Sequence, residues 1–300
     1  MRYKFVICFT VLALSLGACQ PTAAPTKITH ETPFKSNHFT VTTQGSGPHI
    51  ILVPGLASNG AIWDGTVAAL GDDYTTHVIQ VSGFGGAPTR GNEGNTNILD
   101  DLSLDLTAYA HRLTGDVAMV GHSLGGLITM KAALQDDSPL DAIIIVDVLP
   151  FFSVLMDKDA TANSIAPISA MMKAVMIAQS EDVFAASQSD ALKALVKAED
   201  DRALALSWSL ASDRQVMAQA MSEVLVTDLR SDIGALTIPA TILYARDPAI
   251  VNMADIEVFY QTLYAPINVL ELNPVDGALH FIMLDQPDTF HALLKNALSK

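Results

Sequence analysis

Gly121-His122-Ser123-Leu124-Gly125 constrains this chain more than any other segment, because the apolar run Val117-Ala118-Met119-Val120 leads into it and Gly126-Leu127-Ile128-Thr129-Met130, with helical character, leads out. That context predicts a strand, a sharp turn and a helix, with Ser123 at the apex. A turn this tight strains the serine backbone, and side chains two residues to either side would collide with the strand and the helix. Glycine at 121 and 125 removes both collisions. The serine oxygen is thereby held out at the C-terminal edge of the strand, where a nucleophile belongs.

The rest of the chain supplies a sheet for that strand. Apolar runs with strand character fall at 38–43, 49–53, 77–81, 117–120, 142–148, 241–244 and 267–272, with helical stretches at 62–70, 99–113 and 124–134 between them. This alternation predicts an α/β fold, a mostly parallel central sheet with helices on both faces. Half of the 300 residues are hydrophobic, enough for a large buried core. The core is expected over 37–150 and 237–300. Residues 151–236 break the alternation: rich in Ala, Met and Leu, with helical patches at 168–178, 191–198, 202–210 and 214–226, they read as a helical cap inserted between two strands. Met156, Met171, Met172, Met176, Met217 and Met221 would give that cap a soft, adaptable apolar lining.

The N-terminus reads as an address. Arg2 and Lys4 precede a short apolar run over 5–16, and Leu16-Gly17-Ala18-Cys19 follows. The run is too short to span a bilayer and fits the apolar region of a signal peptide over 1–18. It resembles the lipobox of bacterial lipoproteins, which implies cleavage before Cys19 and a lipid on its sulfur. Residues 19–36, with Pro21, Pro25 and Pro33, would form an extended tether. Gln20 after the cysteine implies the outer membrane, on its periplasmic side. Cys8, the other cysteine, lies in the leader, so the mature chain has no pair for an internal disulfide. A formal charge of −15 makes nucleic acid a poor partner. Nothing in the pattern specifies an oligomeric state.

Ser123 alone is a weak nucleophile at neutral pH and needs a base, itself oriented by a carboxylate. His280 lies in Gly277-Ala278-Leu279-His280-Phe281, after the last strand run, where a loop brings an imidazole over a central strand. The remaining histidines lie within strands, helices or the tether, and the side chain of His122 is expected to aim away from the nucleophile. Two aspartates end strands beyond Ser123: Asp147 after Ile143-Ile144-Ile145-Val146, and Asp247 after Tyr244-Ala245-Arg246. Either reaches a histidine near Ser123, since adjacent strands are only ~4.8 Å apart.

With serine, aspartates and histidine in this order, the chain over 37–299 resembles the α/β-hydrolase fold superfamily. The resemblance implies Ser123 as nucleophile, His280 as base and, by its place after the capping insertion, Asp247 as the acid, with Asp147 the alternative. It also implies an oxyanion hole made by the backbone amides of Leu124 and of Leu56, the latter in the loop Pro54-Gly55-Leu56-Ala57-Ser58. The loop Gly83-Phe84-Gly85-Gly86 is expected at the rim, with Phe84 a pocket contact. No cofactor is implied, and no metal-ligand cluster or phosphate loop is present in the sequence. The implied activity is hydrolysis of a carboxylic ester of an uncharged, partly hydrophobic small molecule through an acyl-serine. Alternatives are amide, lactone or thioester cleavage or other chemistry by the same triad, or a catalytically silent envelope-binding lipoprotein.

Overall fold

The computed structural model divides into two units, Met1–Phe34 and Lys35–Lys300, and describes residues 34–248 and 253–300. The expected signal peptide, Cys19 and most of the tether lie outside the described residues. The fold begins at Ser36, whose Oγ donates to Asp105 at 2.5 Å and accepts from the His38 amide at 2.8 Å. Among the described residues, no helix is long and apolar enough to cross a membrane.

In chain order the strands are β1 (Phe39–Gly45), β2 (His49–Val53), β3 (Thr75–Val81), β4 (Val117–His122), β5 (Ala142–Val146), β6 (Ala240–Arg246) and β7 (Leu270–Asp276). The helices are α1 (Asp64–Leu70), α2 (Ile98–Ala110), α3 (Leu124–Ala133), α4 (Ala162–Ala178), α5 (Glu181–Lys193), α6 (Glu199–Ala211), α7 (Arg214–Val226), α8 (Met253–Tyr264), α9 (Ile282–Asp285) and α10 (Pro287–Leu298). The strands form one sheet in the order β1-β3-β2-β4-β5-β6-β7. β1 runs antiparallel to β3, and every other neighbouring pair is parallel.

Parallel strands covered on both faces lose the alternation of a half-exposed sheet, and Ile50–Val53 and Ile143–Val146 are buried without interruption. The helix pairs α2 with α3 and α1 with α10 flank the sheet, and Trp63 packs against Phe290, their ring centroids 6.2 Å apart. The last strand begins three residues later than its apolar run predicts. Ile267 instead closes the turn after α8, its amide donating to Tyr264 O at 3.0 Å. Pro274 is tolerated within β7 because this strand is the sheet's edge and has a free side.

Between β5 and β6 the chain runs through α4–α7. The helix expected at 191–198 is instead Glu181–Lys193: Ser180 caps it by accepting from the Val183 amide, and Glu181 and Asp182 complement the positive end of its dipole. Its polar composition hides it from a search for apolar periodicity.

Candidate active site

The turn after β4 is built as its glycines require. A Cβ at Gly121 would lie 2.2 Å from Gly125 O, and one at Gly125 would lie 2.4 Å from Val53 O, so neither position admits a side chain. Ser123 sits between them at φ 53°, ψ −121°, with its amide donating to Val146 O at 2.9 Å, and opens α3. Positive φ in a residue with a Cβ costs ~1–3 kcal/mol and persists only where the surroundings enforce it. Four such residues are described, Ala57, Arg90, Ser123 and Asp147, and three of them, all but Arg90, line one cavity of about 600 Å³. The strain is therefore concentrated where the chemistry is expected.

His280 comes from the loop between β7 and α9 and lines the same cavity as Ser123. Its Nδ1 lies 2.7 Å from Asp147 Oδ2. Asp147 is well held: its Oδ1 accepts from the Ala245 amide at 2.8 Å and from the Tyr260 hydroxyl at 3.2 Å, while its own amide donates to Leu243 O at 2.8 Å. Its φ of 51° is a conformation that aspartate tolerates better than most residues. Tyr260, from α8, is fully buried, and burial followed by the nearby Asp147 charge pushes its hydroxyl pKa well above the usual value, so it remains a donor. No pattern in the sequence marks Tyr260 for this role.

The expectation that Asp247 orients His280 is corrected by this geometry. Asp247, at the end of β6, is 7 % exposed and ion-paired with Lys197 from the turn between α5 and α6. The two aspartates end adjacent parallel strands, so both face the region of His280. The lysine draws one carboxylate aside, and the Ala245 amide with Tyr260 turns the other toward the imidazole.

The His122 side chain is turned to the His280 loop. Its ring is 1 % exposed, packs at 4.7 Å from the His280 ring and 4.9 Å from Phe281, and its Nε2 donates to His280 O at 2.9 Å. Nδ1 is thus the unprotonated nitrogen, and it has no hydrogen-bond partner. Burial first, and then His280, hold its pKa well below the ordinary histidine value. A Cβ at Gly55 would lie 2.8 Å from that Nδ1 and 3.2 Å from Ser123 Cβ. Glycine there lets the 54–58 loop close against the serine turn and the His122 ring, whose other neighbours are His280 and Phe281.

Leu56 and Leu124 line the cavity, and among the described residues their amides donate to no protein acceptor. Phe84 does not line it: its side chain is fully buried, and its carbonyl accepts from Gln80 at 2.9 Å. The Gly83 loop instead abuts α7, where a Cβ on Gly83 would meet Val216 at 2.9 Å. Met172 and Met176 from α4 and Met217 and Met221 from α7 line the cavity, whereas Met156 and Met171 face outward. Among the described residues no cluster of three or more metal-ligating side chains occurs.

A model described as "Alpha/beta hydrolase family" matches residues 50–293. The pimeloyl-[acyl-carrier protein] methyl ester esterase of Aeromonas hydrophila is 24% identical over 257 residues, 84% of this chain and 96% of that protein. That of Aliivibrio fischeri is 27% identical over 213 residues, 68% of this chain and 77% of that protein. Among solved structures, a thermophilic esterase from Thermogutta terrifontis aligns with a TM-score of 0.72 at 16% identity, covering 87% of this chain and 93% of that one. A hydrolase from Pseudomonas aeruginosa aligns with a TM-score of 0.70, also at 16% identity, covering 87% and 94%.

Proposed function

We propose, for a chain that belongs to the alpha/beta hydrolase family, that it is a serine hydrolase of carboxylic esters in which Ser123 is the nucleophile, His280 the base and Asp147 the residue that orients it. The observation that carries the reading is the 2.7 Å contact between His280 Nδ1 and Asp147 in the cavity that Ser123 also lines. Relatives named as methyl ester esterases support ester chemistry.

With Nδ1–H donating to Asp147, Nε2 of His280 carries the lone pair. It takes the Ser123 proton as Oγ attacks the ester carbonyl carbon, and Asp147 stabilises the imidazolium that results. The carbonyl oxygen, now negative, is met by the Leu56 and Leu124 amides, which donate to no acceptor among the described residues. His280 then gives its proton to the leaving alkoxide, and the alcohol departs. Water attacks the acyl-serine, loses its proton to His280, and the acid and free Ser123 are released. The apolar cavity suits an uncharged ester with a hydrophobic chain. No step calls for a cofactor. Supported by the lipobox-like leader, the enzyme works outside the cytoplasm, held by a lipid on Cys19 at the outer membrane.

The test is hydrolysis of p-nitrophenyl esters of graded acyl length by the purified chain beside Ser123→Ala, with fluorophosphonate labelling of both. Turnover and labelling that vanish in the variant are expected, with a preference for medium over acetyl chains. Labelling without ester turnover would move the reading to amide or lactone cleavage, and a folded protein that does neither would be a binding protein.

A further inference from the structure

Helix α4 is the least ordinary surface of the molecule. Of its 17 residues only Ile165 and Ser169 are buried, yet the helix carries a single charge, Lys173, in a strongly acidic chain. Ile168, Met171, Met172 and Val175 are exposed, Met171 by 60 % and Val175 by 55 %. Their spacing puts them on one face of the helix. A helix apolar on its outer face needs a partner, and a contiguous apolar patch marks an interaction site. The patch is continuous with the cavity: Leu155 and Met172 line the cavity and are exposed at the same time, so exposed apolar side chains rim its mouth.

We infer that the α4 face docks on the surface of a lipid bilayer of neutral headgroups and opens the Ser123 cavity toward it. Charge argues for this occupant. The chain's net −15 repels an anionic surface, while the docking face itself carries no carboxylate, leaving apolar insertion as the attraction. Access argues for it as well. A second copy of the chain on this patch would seal the cavity mouth, whereas a lipid surface would offer esters with apolar chains to it, a consequence that rests on the proposed ester hydrolysis. Residues 19–33, upstream of the described fold, span up to ~50 Å when extended, ample for a lipid on Cys19 to leave the domain free to settle on this face.

The full chain carrying Met171→Trp is mixed with vesicles of 1-palmitoyl-2-oleoyl-phosphatidylcholine, with and without brominated acyl chains, beside Leu104→Trp, an exposed position on α2. The native Trp63 and Trp208 are buried and give a constant background. Bromine should quench the residue 171 fluorescence about twofold and leave residue 104 unchanged, since an interfacial helix sinks its apolar face ~5–10 Å into the bilayer. Equal quenching at both positions, or none at 171, would overturn the inference, because a tether alone brings neither residue into the acyl region. A dimer in sedimentation that Met171→Asp splits would overturn it too, assigning the patch to a second copy. Met171→Ser/Val175→Ser should keep full turnover of dissolved p-nitrophenyl butyrate and lose about tenfold on a long-chain ester carried in the vesicles. Absence of any ester turnover would sink the proposed activity and leave the quenching result standing.

Discussion

Asp147 engages three donors with two oxygens, from the Ala245 amide, the Tyr260 hydroxyl and His280. An asparagine at this position would keep the left-handed backbone at little cost and offer an NH₂ in place of one oxygen. Asp147→Asn is therefore expected to lower kcat by about 10³–10⁴ with the far-ultraviolet spectrum unchanged, and Asp247→Asn by less than about tenfold. The reverse ranking in ester turnover would return the orienting role to Asp247. His122 belongs to the same scale: its Nε2–H holds the backbone of His280, the proposed base. Replacing it with Phe keeps an aromatic ring but deletes the donor. Loss of about tenfold in kcat at unchanged KM, partly recovered by His122→Gln, is expected from misplacing a catalytic group. Equal kcat in wild type and His122→Phe would show that the contact positions nothing.

At the scale of elements, the bottom of the sheet carries a polar knot remote from the site. His77 on β3 meets His49 on β2 at 2.9 Å, the Tyr109 hydroxyl on α2 at 2.7 Å and Thr43 on β1 at 3.3 Å. Burial, with His49 adding to it, lowers the His77 pKa to about 4. The unfolded chain, titrating near 6.5, thus binds a proton that the fold refuses. Stability contributed by neutral His77 is complete above about pH 6.5, falls as pH drops toward 4, and levels off below. The loss is on the order of 1–2 kcal/mol, discounted for solvent screening beside half-buried His49. Urea midpoints measured from pH 7 to 4 should fall less steeply in His77→Gln than in the wild type, and parallel slopes would refute the assignment. These elements were largely legible beforehand, because buried parallel strands read as unbroken apolar runs and α3 follows from the glycine turn. α5 was not, because its polar sequence is carried by caps and contacts with other helices rather than by an apolar stripe of its own.

At the scale of the molecule, the α4–α7 segment and the His280 loop are joined. Asp285 accepts from the Lys197 amide at 2.9 Å and the Leu279 amide at 2.7 Å, and the Phe281 amide donates to Leu195 O at 3.1 Å. The α5–α6 turn that supplies Lys197 to Asp247 is thus pinned beside His280. The proposed anchor belongs to this scale as well: Cys19→Ser should leave the membrane fraction of the producing bacterium, and the wild-type mass should include a diacylglyceryl group. A wild-type protein that is soluble without lipid would refute the anchor. Ser123, its glycine turn, His280 and the layered α/β architecture follow from sequence alone, because each is dictated by local sterics or by the period of apolar residues. Which aspartate meets His280 does not, because Asp147 and Asp247 stand on neighbouring strands with equivalent local sequence cues. Partners distant in the chain decide it: Tyr260 lies 113 residues from Asp147, and Lys197 reaches Asp247 from the α5–α6 turn. Only the packed structure brings those partners to one end of the sheet and so gives one carboxylate to the imidazole and the other to a lysine.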